Sequence, residues 1–218
     1  LGDNEIKKAY LGSNVIYDKT TTPSVYQNVD LYLKFDELNG KPIDIVYGLQ
    51  FDLFGGVQQG VQGKIGTAYE FNGVDGWMNM GNLLRRGQDF QNVGDGWGII
   101  IDVSDTGGRF NSVTTSNGAV ENVINYNFNW NLNEWYYLIA IYDDANETQS
   151  LYVNNSLIAT INTDGNTLRL GGETFIGKAE QNISQSKTVI DEFPIYKDKV
   201  LTSAERAALW NNSQGITY

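Results

Sequence analysis

From Asp30 onward the apolar residues recur with a period of two: Leu31, Leu33 and Phe35 alternate with Tyr32 and Lys34, and similar alternations return between glycine-marked turns. A period of two is the signature of strands, whose successive side chains point to opposite faces. The pattern predicts an all-β chain. Candidate strands run over Ala68 to Asn72, Trp77 to Met80, Trp97 to Val103, Val120 to Trp130, Trp135 to Tyr142, Gln149 to Val153, Leu157 to Ile161, Thr174 to Gly177 and Thr188 to Tyr196. That many short strands predict two packed antiparallel sheets, and 218 residues suit one sandwich with a short appendage. Asn154-Asn155 marks a two-residue hairpin turn, because Asn tolerates positive φ.

Two segments depart from that pattern. Thr202-Ser203-Ala204-Glu205 reads as a capping box ahead of Ala207, Ala208, Leu209 and Trp210, which predicts a short C-terminal helix. At the other end, Ile6 to Tyr10 and Val15 to Tyr17 flank Leu11-Gly12-Ser13-Asn14 as an N-terminal β-hairpin, and Thr20 to Ser24 reads as an extended linker. The expected organisation is therefore a hairpin and linker over 1–26 and a sandwich over 27–218. The chain opens Leu1-Gly2-Asp3 without an initiator Met, which implies processing or trimming of what preceded it.

Composition narrows the chemistry. With no His and no Cys, the imidazole- and thiolate-based catalytic constellations and the usual zinc sites are excluded. A net charge of -11 repels a phosphate backbone, so nucleic acid is not an expected partner. The longest apolar run, Trp135 to Tyr142, falls short of the roughly 18 residues of a membrane span. Only 19% of residues are charged, while Gly and Asn each number 24, so the surface must solvate itself through amides and hydroxyls. Those groups build turns and also recognise sugars.

Four blocks resemble the laminin-G-like, concanavalin A-like lectin/glucanase superfamily: Leu31 to Gly40, Gly63 to Gly73, Asn133 to Asn155, and Ile190 to Tyr196 followed by Leu201 to Glu205. They occur in the family's order and imply a two-sheet antiparallel jelly-roll sandwich. Tyr136-Tyr137 replace the family's common His pair, and Pro194 interrupts the closing strand, which places it at an edge or bulge. The resemblance assigns Trp135 and Trp210 to core positions, with Trp77 near a sheet edge. It also implies one structural calcium ion near the opening and closing strands, held by Asp36 and Asp191 with loop carbonyls. The alternative is that Asp36 is a turn acceptor and Asp191 an edge charge. The front hairpin, Ile6 to Asp18, resembles one frequent in phage tail and virion proteins, which implies attachment to a larger assembly.

Glucanases of this family carry Glu-x-Asp-x-x-Glu on one strand. No such run exists here, and Asp102 and Asp105 are three apart and so on opposite strand faces. Sugar binding without cleavage is the expectation. Trp97 and Trp130 are the candidate stacking platforms. Strand alternation over 125–131 sends Tyr126, Phe128 and Trp130 to one face and Asn125, Asn127, Asn129 and Asn131 to the other. Amides turned outward form a ladder able to bind a glycan, or one that merely keeps the sheet solvated. The reading is a non-catalytic carbohydrate-binding module on a phage virion or otherwise extracellular, with host polysaccharide as partner. The alternatives are a structural module contacting other virion or surface proteins and, less favoured, a glycan-cleaving enzyme. Self-association is left open.

Overall fold

The computed structural model describes the chain except residues 1–7, 12–13, 19–23, 82–96, 105–106, 117–119, 144, 164–173, 179–186 and 197–198. Its architecture is the expected one, an antiparallel β-sandwich with one short C-terminal helix. The front hairpin pairs β1 (Lys8–Leu11) with β2 (Asn14–Asp18).

The body is a set of short antiparallel ladders. β5 (Val57–Gln62), β6 (Thr67–Asn72) and β15 (Lys187–Ile190) form one. β4 (Asp52–Phe54), β7 (Trp77–Gly81) and β14 (Thr174–Ile176) form the next. β8 (Trp97–Ser104), β9 (Gly107–Ser116) and β10 (Val120–Phe128) are followed by β11 (Leu138–Asp143), β12 (Thr148–Val153) and β13 (Ser156–Asn162). β3 (Leu31–Leu33) pairs with β16 (Phe193–Ile195).

β3 shows how the core is built. All three of its residues are buried, with Leu31 and Leu33 in a cluster with Phe35, Tyr69, Phe71 and Met78, and Tyr32 in a second cluster with Tyr26 and Ile139. An alternating strand can bury both faces only if packed layers lie on each side. The backbone N–H of Tyr32 donates to Oδ1 of Asp44, a fully buried carboxylate that also accepts from the N–H groups of Val46 and Tyr47. Three donors compensate the buried charge.

Several boundaries moved. The closing strand splits into β15 and β16 because Glu192 adopts φ +51, and Pro194 then sits in β16, whose one described partner is β3. β5 runs through a glycine: Gly60 at φ +74 forms a bulge between Gln59 and Val61, and the strand continues to Gln62. β4 and β9 carried no pattern the alternation rule catches. The helix α1 (Ser203–Trp210) has the anticipated capping box, with Thr202 as N-cap and Glu205 returning to it, and it ends at Asn211 in the left-handed region. Buried Leu209 anchors it to the second cluster. Asn154 and Asn155 have φ +49 and +63, the geometry of the expected hairpin turn.

Candidate functional site

The Asn-rich segment turns its amides outward where its side chains are described. Ile124 is buried and Tyr126 half-buried, whereas Asn127, Asn129 and Asn131 are exposed. The side chains of Trp97 and Asn125 lie outside the described residues, as do those of Asp102 and Asp105. β10 ends at Phe128, two residues short of the expected Trp130, and 129–137 runs as a connection to β11 with Asn133 at φ +63.

That connection is organised by a carboxylate. Asn131 N–H donates to the Tyr136 hydroxyl at 2.8 Å, the hydroxyl donates to Glu134 Oε2 at 3.1 Å, and Asn131 Nδ2 donates to the same oxygen at 3.0 Å. Bonds to a charged acceptor are the stronger kind, and two of them, with the Asn131–Tyr136 bond, fix a loop without regular ladder bonds. Beneath, Trp130 packs edge-to-face on Tyr136, with centroids 4.8 Å apart and planes at 89°, against buried Ile124, Leu151 and Val153. Half-buried Trp130 is thus the floor of the loop rather than an open platform.

Trp135 corrects an expectation. Instead of occupying the core it is 38% exposed, because β11 begins only at Leu138 and Trp135 precedes the strand. An exposed indole between Glu134 and Tyr136 is the available stacking surface. Sequence reasoning passed over Glu134, Trp135 and Tyr136 because the Asn-Glu-Trp block was assigned wholesale to a core strand. Trp210 is half-buried, stacked on Tyr137 at 6.0 Å.

Asp36 and Asp191 do converge, on the turn between β5 and β6. Asp36 Oδ1 accepts from the Thr67 N–H at 3.0 Å, and Asp191 Oδ2 from the Ile65 N–H at 2.8 Å. Burial pushes the Asp191 carboxyl up to about 6 against the bonds from the turn, with the Asp36 charge adding to the rise. Its Oδ1 is buried with no hydrogen-bond partner among the described residues. A buried, unpartnered carboxylate oxygen beside a second carboxylate suits a hard cation. No group of three or more acidic residues able to hold a metal exists among the described residues, so turn carbonyls would have to complete the shell.

A further aromatic group was not anticipated as a unit. Phe54, Trp77 and Phe175 cross β4, β7 and β14 on the outer face, opposite the inward Leu53, Met78 and Ile176. Phe54 stacks on Trp77 at 4.1 Å, and Lys178 Nζ lies 3.3 Å from the same ring centroid. Two groups that close cannot share a ring face, so both faces of Trp77 are covered. The row packs on itself and leaves Trp77 no face for a sugar.

No curated protein matches the chain. Among solved structures, a mutant of HCR/D matches with TM-score 0.61 at 15% identity, covering 88% of this chain and 54% of that one. The botulinum neurotoxin serotype D binding domain matches with TM-score 0.57 at 14% identity, over 84% of this chain and 52% of that one. The receptor binding domain of the botulinum neurotoxin C/D mosaic serotype matches with TM-score 0.57 at 15% identity, over 85% and 51%. The chain thus spans about half the length of these structures, and likeness at such identity concerns the fold alone. The family model described as Concanavalin A-like lectin/glucanases superfamily (Laminin_G_3) matches residues 72–205, more than half of the chain. With the sandwich already in view, that match places the protein: it belongs to the laminin-G-like branch of the concanavalin A-like lectin/glucanases superfamily.

Proposed function

We propose that this chain is a non-catalytic saccharide-binding module whose binding surface is the β10–β11 connection. The observation that carries the reading is Trp135, exposed beside the hydrogen-bonded Asn131–Glu134–Tyr136 group. A sugar needs an aromatic face for its C–H groups and fixed polar groups for its hydroxyls, and this loop offers both. The exposed amides of Asn127 on β10 and of Asn129 just past its end extend the polar surface. Similarity in fold to receptor-binding domains of botulinum neurotoxins supports binding as the use of the sandwich. A shallow site of this kind binds weakly, so display in many copies, as on a phage tail or virion with the front hairpin as attachment, supplies the avidity. Asp36 and Asp191, with carbonyls of the 63–67 turn, hold a structural calcium ion in this reading, supported by the unpartnered Asp191 Oδ1. A glycan array probed with a multimerised chain tests it. Binding lost in Trp135→Ala supports the assignment, and silence toward every saccharide refutes it.

The second reading, a structural module contacting other surface proteins, is favoured by one observation. Phe54 is 41% exposed on β4, a strand with a ladder partner on one side only among the described residues. Sedimentation at increasing concentration, with Phe54→Ser as comparison, tests self-association through that edge.

A further inference from the structure

The loop that carries the proposed binding surface also has a definite electrostatic character. Among residues 125–137 Glu134 is the one charged side chain, in a chain of net charge -11. Its Oε2 is committed to Asn131 and Tyr136, whereas its Oε1 makes no hydrogen bond among the described residues. A carboxylate only accepts, so the Asn131 amide turns its nitrogen toward Glu134, which leaves the Oδ1 acceptor of this exposed residue without a hydrogen bond among the described residues. Within the Asn131–Glu134–Tyr136 group the atoms open to a ligand are therefore two acceptor oxygens, one of them charged, against a single remaining N–H of the Asn131 amide, and the exposed amides of Asn127 and Asn129 add only neutral groups.

We infer that this site selects uncharged, hydroxyl-rich saccharide units and rejects acidic ones, such as uronic or sialic acids, with Glu134 as the discriminating residue. The inference rests on the saccharide-binding reading and names its substrate class. Hydroxyls donate to the Glu134 and Asn131 oxygens and stack their carbons on Trp135. A ligand carboxylate finds no cation in the loop, and its charge faces that of Glu134 at contact distance. In the β9–β10 ladder Arg109 pairs in register with Asn127, in the strand before the loop begins.

Glu134→Gln isolates the effect. The glutamine oxygen can still accept from Asn131 and Tyr136, and its amide nitrogen then replaces the outward acceptor with a donor. The experiment is an array of neutral oligosaccharides beside their uronic- or sialic-acid-bearing counterparts, probed with the multimerised wild type, Glu134→Gln and Arg109→Ala. Thermal unfolding confirms that each variant is folded. We expect the wild type to bind neutral members roughly tenfold or more above their acidic counterparts. Glu134→Gln should collapse that ratio toward one, whereas Arg109→Ala, which removes the cation paired in register with Asn127, should leave it at least as high. Equal or preferred binding of acidic members, or a ratio insensitive to Glu134→Gln, overturns the inference while leaving saccharide binding intact. Absence of binding to every member overturns both.

Discussion

Asp44 offers a quantitative test of how the core is held. Its carboxylate is fully buried and accepts three backbone N–H groups, from Tyr32 at 2.9 Å, Val46 at 3.1 Å and Tyr47 at 3.0 Å. Asp44→Ala orphans all three donors, but unequally. Tyr32 is fully buried, so its N–H has no water to turn to and costs about 2 to 3 kcal/mol. Val46 and Tyr47 are not buried, and water can replace the acceptor at well under about 1 kcal/mol each. The sum is about 3 to 4 kcal/mol, which for a chain of this size lowers the unfolding midpoint by about 6 to 16 °C. Asp44→Asn keeps the Oδ1 acceptor for Tyr32 and Val46 and turns a donor toward Tyr47, so it should cost only about 1 to 2 kcal/mol. Denaturant and thermal unfolding of the three proteins, followed by circular dichroism, read the ranking. If Asp44→Ala costs less than about 1 kcal/mol, or no more than Asp44→Asn, the buried-acceptor argument is wrong.

The other predictions concern the closing strand and the helix. Burial holds the Asp191 carboxyl at about 6 and the Glu192 carboxyl at about 7, above their ordinary values of 3.8 and 4.5. The folded state therefore binds protons that the unfolded chain releases, and in chelator its stability should rise as pH falls from about 8 to about 5. Asp191→Asn should flatten that slope, and an unchanged slope would refute the assignment. Calcium at a hundredfold excess over its Kd should stabilise the wild type by about 2.7 kcal/mol and leave Asp36→Asn/Asp191→Asn unaffected, as read by thermal unfolding with and without chelator. No shift in the wild type would remove the ion from the account. Thr202→Ala should cost about 1 kcal/mol by opening the capping box of α1. The Glu205 carboxylate, held down to about 2 by Lys199 and by Thr202, stabilises the helix start above pH 4.5, and this should be lost as pH falls toward 2.

The sandwich was legible because alternation and turn chemistry are local. The Asn154-Asn155 hairpin and the Thr202 box are set by residues within a few positions of one another, and both formed as read. β4 escaped because Asp52-Leu53-Phe54 presents an exposed Phe where alternation predicts a polar residue, and only pairing with Trp77 across the ladder explains it. Asp44 was invisible for a similar reason: its three donors arrive from β3 and its own turn, a convergence no spacing rule encodes. At the candidate site, the outward amides followed from alternation along β10. The Glu134 oxygen that organises the loop and the exposed Trp135 did not, since both depend on β11 starting at Leu138.

The five tryptophans, Trp77, Trp97, Trp130, Trp135 and Trp210, give the central claim its most direct test. Their indole N–H resonances can be followed by NMR while the protein is titrated with the saccharide that an array selects. The account predicts that Trp135 shifts most, with Trp130 following through the loop, while Trp77, enclosed by Phe54 and Lys178, and Trp210, stacked on Tyr137, stay in place. Movement of Trp77 or Trp210 with Trp135 unmoved would contradict it, and would put the binding surface elsewhere on the sandwich.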